Sequence, residues 1–382
     1  MRDAVICEAV RTPVGKRGGG LSGVHAADLS ATVLKALAER SGVDVNKIDD
    51  VIWGCVSQVG EQTADIGRNI VLTAGWPESI PGVTIDRQCG SSQQAVAFAA
   101  AGVIAGHYDL AVAGGVEMMS RVPMGSTAVK ELGTPYSQAY LDRYNGVRPN
   151  QGIGAEMIAQ QWGLSRTQLD EYSLGSHEKA AKAQDEGLFD SQIIPIETES
   201  GVVSKDEGIR RGSTIEKLAQ LPTPFLEDGV VSAGNASQIS DGSAALLVTS
   251  SETAKELGLK PLVRVHTTVL AGTDPIIMLT GPIPATEKAL KRSGLSIDDI
   301  GAFEVNEAFA SVTMAWLKET GADPARLNPN GGAIALGHPL GGSGARLMTT
   351  LIHHMVENKI QYGLQTMCEG GGQANATILE LL

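Results

Sequence analysis

A chain of 382 residues with 42% hydrophobic and 19% charged side chains has ample material for a buried core in two or three domains, which excludes disorder. A formal net charge of −13 excludes nucleic acid as the expected partner, because phosphates are repelled by so acidic a surface. An anionic small ligand would need a local basic patch.

Taken in chain order, the N-terminal run Met1-Arg2-Asp3-Ala4 carries an early acid and no long apolar stretch, so no signal peptide is expected. The pattern predicts a helix over 28–40 closed by Gly42, a strand at Val51-Ile52-Trp53, a strand over 82–85 and a helix over 91–105. The apolar run 95–106 is too short to span a bilayer and ends at His107, so no membrane partner is expected. A strand at Leu110-Ala111-Val112-Ala113 follows. From about 119 to 240 the chain turns more polar, holding Tyr136, Tyr140 and Tyr144 and a helix opened by Ser165 and Gln168 and ended by Gly187. A strand over 244–248 and helices over 284–293, 307–320 and 343–357 complete the chain, with Pro284 early in its helix and Gly294 and Gly321 just past the ends. Alternating strands and helices predict an α/β architecture.

The chain also repeats itself. Ser41-Gly42-Val43 leads into Ile48-Asp49-Asp50-Val51, and Ser293-Gly294-Leu295 leads into Ile297-Asp298-Asp299-Ile300. Asp50 precedes Cys89 by the same interval as Asp299 precedes His338, and each endpoint runs into a Gly/Ser-rich turn and a helix. The stretch between the halves is then an insertion, where a substrate-facing element is expected.

The four cysteines, Cys7, Cys55, Cys89 and Cys368, have neither metal-ligand spacing nor a disulfide pattern, so free thiols in a reducing cytoplasm and no metal site are expected. Cys89 stands apart in Asp86-Arg87-Gln88-Cys89-Gly90-Ser91-Ser92, between a strand and a helix start whose free N–H groups are expected to lower its thiol pKa and stabilise an oxyanion. His338 lies in the glycine-dense run from Asn330 to Gly344, where the backbone is bent to aim a side chain. Cys368 follows the expected strand 363–367 and precedes Gly370-Gly371-Gly372; Asn306-Glu307-Ala308-Phe309 is placed at a helix start, where Asn306 would serve as N-cap. Gly18-Gly19-Gly20 reads as a plain loop, and His25, His107, His177, His266, His353 and His354 as ordinary histidines. Two thiols, an imidazole and glycine-backed N–H donors are the parts of acyl transfer.

These motifs, with Gly234-Asn235-Ala236-Ser237, stand in the order of the thiolase family of acyl-CoA acetyltransferases, which the chain resembles along its whole length. The resemblance implies a thiolase-like α/β fold of two duplicated βαβαβαββ halves in stacked layers with an inserted loop domain. It implies a core half at 1–118 and 240–261 carrying the nucleophile, a loop domain at 119–239 for CoA and substrate, and a second core half at 262–382. It assigns Cys89 as the acyl-carrying nucleophile, His338 as its activator and an oxyanion donor, and Cys368 as the acid/base. Asn306 would hold a water in one oxyanion hole, and the N–H groups of Cys89 and Gly370 would form the other. Coenzyme A would be a substrate, with no tightly bound cofactor, contacting Arg210, Phe225, Ala233 and Ser237; the charge of Arg210-Arg211 would suit its nucleotide. The partners implied are acyl-CoA, acetyl-CoA and CoA, in a homodimer or homotetramer.

Three positions depart from the short-chain biosynthetic pattern: residues 150–156 lack the usual His before Gly-x-x-Ala-Glu, Glu369 takes a place usually apolar, and Ala374 one where Gly is common. They look more like actinobacterial thiolases that degrade steroid or bulky acyl chains. Glu369 would modulate the acidity of Cys368 or face solvent. The reaction expected is CoA-dependent cleavage of a 3-oxoacyl-CoA, or the reverse condensation. The alternatives are a decarboxylating ketoacyl synthase, which would use two histidines, a non-catalytic acyl-CoA or lipid carrier, and a cysteine redox or hydrolytic enzyme.

Overall fold

The computed structural model describes residues 2–382. The first half runs β1 (Val5–Arg11), α1 (Ala26–Ser41), β2 (Asp50–Gly54), α2 (Ile66–Thr73), β3 (Gly82–Ile85), α3 (Ser91–Ala105) and β4 (Leu110–Met118). After an excursion containing α4 (Gln151–Gln161) and α5 (Arg166–Asp185), the chain returns as β5 (Ser240–Thr249). The second half runs β6 (Val263–Gly272), α6 (Pro282–Ser293), β7 (Ala302–Val305), α7 (Ala310–Thr320), α8 (Leu340–Asn358), β8 (Tyr362–Glu369) and β9 (Gln373–Leu381).

The two halves repeat one topology. Their strands lie in the order β7-β8-β9-β6-β1-β5-β4-β2-β3, so β1-β5-β4-β2-β3 mirrors β6-β9-β8-β7. The missing counterpart of β3 is a single parallel bridge, Phe303 to Leu327. The halves join where β1 meets β6 at Val5–Arg264 and Ile6–Val263. The matched intervals of the sequence therefore mark matched places: Cys89 and His338 each sit just before the inner helix of their own half.

Strand side chains alternate between faces, and the composition of each face follows its neighbour. Val51, Trp53, Val112 and Val116 pack outward with α1 and α2, while Ile52, Ala111 and Ala113 pack inward against α3 and α8. Val263, Ala302 and Leu379 of the other half cover the same inner helices, and Phe303, Val305 and Leu364 pack in a separate cluster with residues of α6 and α7. The result is helix, sheet, helix, sheet, helix. Small residues make the middle layer possible. A Cβ on Gly344 would fall 2.3 Å from the Gln93 nitrogen, and one on Gly54 would fall 2.5 Å from that of Ser92. A helix enclosed on most sides needs apolar residues on most sides, which explains the bland run of α3.

The helix ends follow expectation: Gly42, Gly294 and Gly321 take left-handed φ values of 70°, 77° and 65°, and Ser165 and Gln168 form their reciprocal cap. One boundary does not. The helix expected from 307 begins at Ala310, because Asn306 to Phe309 stay outside it, with Phe309 extended at φ −145° as the residue before the helix. Asn306 is therefore not an N-cap; its N–H bonds the Thr366 carbonyl at 3.1 Å and ties the end of β7 to β8. Among the described residues, no helix is long and apolar enough to cross a membrane.

Candidate active site

Cys89 sits on a turn held by its own side chains. The Asp86 carboxylate accepts from the Gln88 N–H at 2.6 Å, and the Ser91 hydroxyl accepts from the Arg87 N–H at 2.9 Å while donating to the Gln88 carbonyl at 2.6 Å. Gln88 is forced to φ 49°, strain characteristic of a functional turn. The thiol is buried, and the expected lowering of its pKa is reversed. Burial, and then the Glu369 carboxylate, push it up to about 12. Desolvation penalises the thiolate more than the helix start favours it. Cys7 and Cys55 are also buried and shifted upward by burial, as inert core thiols are; all four cysteines are free.

His338 stands at the equivalent turn, after Gly337 at φ 105°. Its N–H is shared between the Gln238 carbonyl at 3.2 Å and the Ser240 hydroxyl at 3.1 Å. Its Nδ1 lies 2.6 Å from Ser343 Oγ, and that hydroxyl donates to the Pro339 carbonyl at 2.8 Å. Ser343 must then accept from Nδ1–H, which leaves Nε2 unprotonated. Asn306 Nδ2 faces that nitrogen at 3.4 Å. Burial, reinforced by Arg346, lowers the His338 pKa to about 3, so the ring is neutral.

Cys368 lies within β8 rather than after it, paired with Ala374, because the strand continues to Glu369. Its thiol is pushed well up by burial, then by Cys89 and Glu369, so the two thiols stand within electrostatic reach. Asn306 is buried with Oδ1 lacking a partner among the described residues. Gly370 lies against the Cys89 turn, where a Cβ would come 2.8 Å from Gln88 Oε1, and Gly371 and Gly372 take φ 82° and 75°. Only glycine permits that approach and that reversal together. Glu369 does not face solvent: it is 0% exposed.

Glu117, at the end of β4, connects the halves. Its carboxylate accepts from the N–H groups of Val56 and Ser57 at 3.0 Å each, Gln62 Nε2 at 2.8 Å and the Gly341 N–H at 2.9 Å. It thereby holds the loop after β2 and the turn after His338 in one frame. Neither Glu117 nor Ser343 was singled out from the sequence. Ser343 lay inside the quoted glycine run, but nothing in Glu117's apolar strand marked it.

A cavity of about 650 Å³ is lined by Lys16, Arg17, Arg210, Ala233, Ser237 and Gln238 among others. It gathers three of the four expected CoA contacts. Phe225 lies elsewhere, edge-on to Phe309 with ring centroids 6.2 Å apart and closed over Gly152. Arg211 is bound to Asp185 at 2.7 Å, so the cations beside Arg210 come from Lys16 and Arg17 instead. Gly18-Gly19-Gly20 is more than a plain loop. The Lys16 and Gly20 N–H groups donate to Glu207, at 3.2 and 3.0 Å, and a Cβ on Gly19 would fall 2.2 Å from Glu207 Oε2. Buried Arg11 pairs with Asp206 at 2.8 and 2.9 Å and fixes the base of that loop. The adjacent charges before the glycine triplet were the available signal. Among the described residues, no cluster of three or more His, Cys, Asp or Glu side chains is arranged to hold a metal.

The sequence matches the model of the thiolase N-terminal domain over residues 4–252 and that of the thiolase C-terminal domain over residues 259–381. It is 51% identical to the steroid 3-ketoacyl-CoA thiolase FadA6 of Mycobacterium tuberculosis, covering 100% of this chain and 95% of that protein. It is 43% identical to a beta-ketoadipyl-CoA thiolase of Escherichia coli, over 100% of both chains. The crystal structure of the Bacillus anthracis acetyl-CoA acetyltransferase superposes with a TM-score of 0.92 at 39% identity, covering 100% of this chain and 99% of that one.

Proposed function

The chain belongs to the thiolase family, and from that premise we propose that Cys89, His338 and Cys368 carry its reaction. The enzyme is an acyltransferase that cleaves a 3-oxoacyl-CoA with CoA to acetyl-CoA and a shortened acyl-CoA. The observation that carries the assignment is the electrostatic contact of two buried thiols, one from each half, together with a neutral imidazole whose Nε2 is unprotonated.

In this reading His338 Nε2 takes the Cys89 proton as the sulfur attacks the 3-oxo carbon. The bond between C2 and C3 breaks, the acyl group stays on Cys89, and the acetyl-CoA enolate takes a proton from Cys368. A CoA thiol then gives its proton to the Cys368 thiolate and attacks the thioester, and Cys89 leaves with the proton held on His338. Both thiols start protonated, which suits this order: Cys368 has a proton to give, while a water held by Asn306 serves one oxyanion hole and the N–H groups of Cys89 and Gly370 form the other. A neutral His338 accepts a proton without first losing one.

The excursion 119–239 serves as the loop domain, and the cavity at Lys16, Arg17 and Arg210 receives the CoA nucleotide, its cations supplying the charge an acidic chain otherwise lacks. The acyl group is bulky. Support comes from the similarity to a steroid thiolase and from Met119, Met278 and Met367 packed near the two cysteines, since methionine adapts to large, irregular ligands. The protein acts in the cytoplasm as a homodimer or homotetramer, for which exposed Phe98, Ala101 and Ile104 on α3, with Val83 on the edge strand β3, supply apolar surface.

The test is to follow loss of acetoacetyl-CoA and of longer and steroid 3-oxoacyl-CoAs with and without free CoA. CoA-dependent cleavage, faster for the bulky chains, is expected; its absence at every chain length overturns the reading. Cys89→Ala is expected to form no acyl-enzyme by mass spectrometry, while Cys368→Ala becomes acylated and does not turn over. Full turnover in the second variant removes Cys368 from its role.

A further inference from the structure

A carboxyl group with no exposure ordinarily collects donors, as Glu117 does. Glu369 collects none: it is 0% exposed, and both oxygens lack a hydrogen-bond partner among the described residues. It is wedged beneath the residue next to the nucleophile. A Cβ on Gly90 would fall 2.0 Å from Glu369 Oε1.

The surrounding groups are accounted for. The turn before α3 contributes Asp86 and Arg87, the start of α3 lies two residues past Cys89, and β8 itself contributes Cys368. Strand β9 brings Gln373 and Asn375, neither charged. Arg87 Nη1 donates to Gln373 Oε1 at 2.9 Å, and Asn375 Nδ2 donates to the Gly90 carbonyl at 3.1 Å. The remaining Arg87 Nε is buried without a partner, as is Asn375 Oδ1. No donor is committed to the carboxyl group, and burial, opposed by Arg87 and reinforced by Asp86, raises its pKa to about 8.

We propose that Glu369 is a positioning residue for the nucleophile: seated under Gly90, its carboxyl group sets how much negative charge stands beside Cys89 and so how readily that thiol gives up its proton. Protonated, it is a neutral wedge that leaves the turn undisturbed. Ionised, it opposes a thiolate on Cys89 and any negative charge forming at the site. Glu369 acts through Cys89, and the proposal rests on Cys89 being the nucleophile.

The experiment needs no acyl-CoA. The full chain, Glu369→Gln and Glu369→Met are alkylated with iodoacetamide across a pH series, and modification of Cys89 is read by peptide mass spectrometry. Near pH 6.5, roughly 1.5 units below the carboxyl's midpoint, the three proteins are expected to react alike. Near pH 9.5 both variants are expected to react about ten-fold faster than the parent, the factor given by one pKa unit of relief from a neighbouring charge. Parallel pH profiles, whether equal or offset by a constant factor, overturn the proposal, since a packing role shifts reactivity at every pH alike. Either variant suffices if the other does not fold. Failure here leaves the thiolase reading intact, because that reading fails only in the CoA-dependent assay and the Cys89→Ala acylation test.

Discussion

The turn that carries Cys89 and the turn that carries His338 occupy equivalent places in two copies of one topology, yet they are held by different means. Around His338, the backbone N–H, the ring Nδ1, the Ser343 hydroxyl and the Gly341 N–H all have partners, and the orphaned polar atoms belong to its neighbours Asn306 and Arg346. Around Cys89, polar atoms of Glu369, Arg87, Asn375 and Gln94 are buried without partners. A ring that must present one nitrogen in one tautomer needs its other nitrogen and its own backbone committed. A thiol whose charge is to change gains nothing from that. Uncommitted neighbours leave the field at the sulfur open to adjustment by a single carboxyl proton.

The largest change is expected where the committed turn is broken. Glu117→Ala strands buried donors on both halves and is expected to cost about 3 kcal/mol of stability, read as a fall in the urea midpoint. A loss no greater than that of Glu369→Ala would erase the contrast between the two turns. Ser343→Ala sharpens it: the fold should persist, but Nδ1 loses its acceptor, and kcat is expected to fall about ten-fold with KM unchanged. An unchanged kcat would show that the tautomer is set elsewhere. Outside both turns the effects shrink. Lys16→Ala or Arg17→Ala removes one exposed charge from the cavity shared with Arg210 and is expected to raise KM for CoA about three-fold while sparing kcat. A fall in kcat instead would tie that loop to the chemistry.

Much of the frame was legible in the chain. Helix stops at Gly42, Gly294 and Gly321, the cap at Ser165 and Gln168, and the alternation of strands and helices are local consequences of backbone preference and apolar spacing. The failure at 307–320 is informative: apolar spacing there fits a helix, but the Asn306 N–H is bound across to β8, so the helix starts late. Of the site, the residue types and their order stood in the motifs. Arg210, Ala233 and Ser237 do meet in one cavity, but Lys16 and Arg17 reach it from nearly the opposite end of the chain, joined by Glu207.

The sequence by itself determined the elements, the duplication and the residue types that meet at the site, because turn chemistry, periodicity and motif order are written over short stretches. Only the tertiary structure decided the charge states. Cys89 is driven up rather than down, His338 is held neutral, and Glu369 is enclosed rather than solvated. Each outcome depends on how much solvent the packing removes and which distant groups it brings close, and neither quantity belongs to a residue until the chain has folded around it.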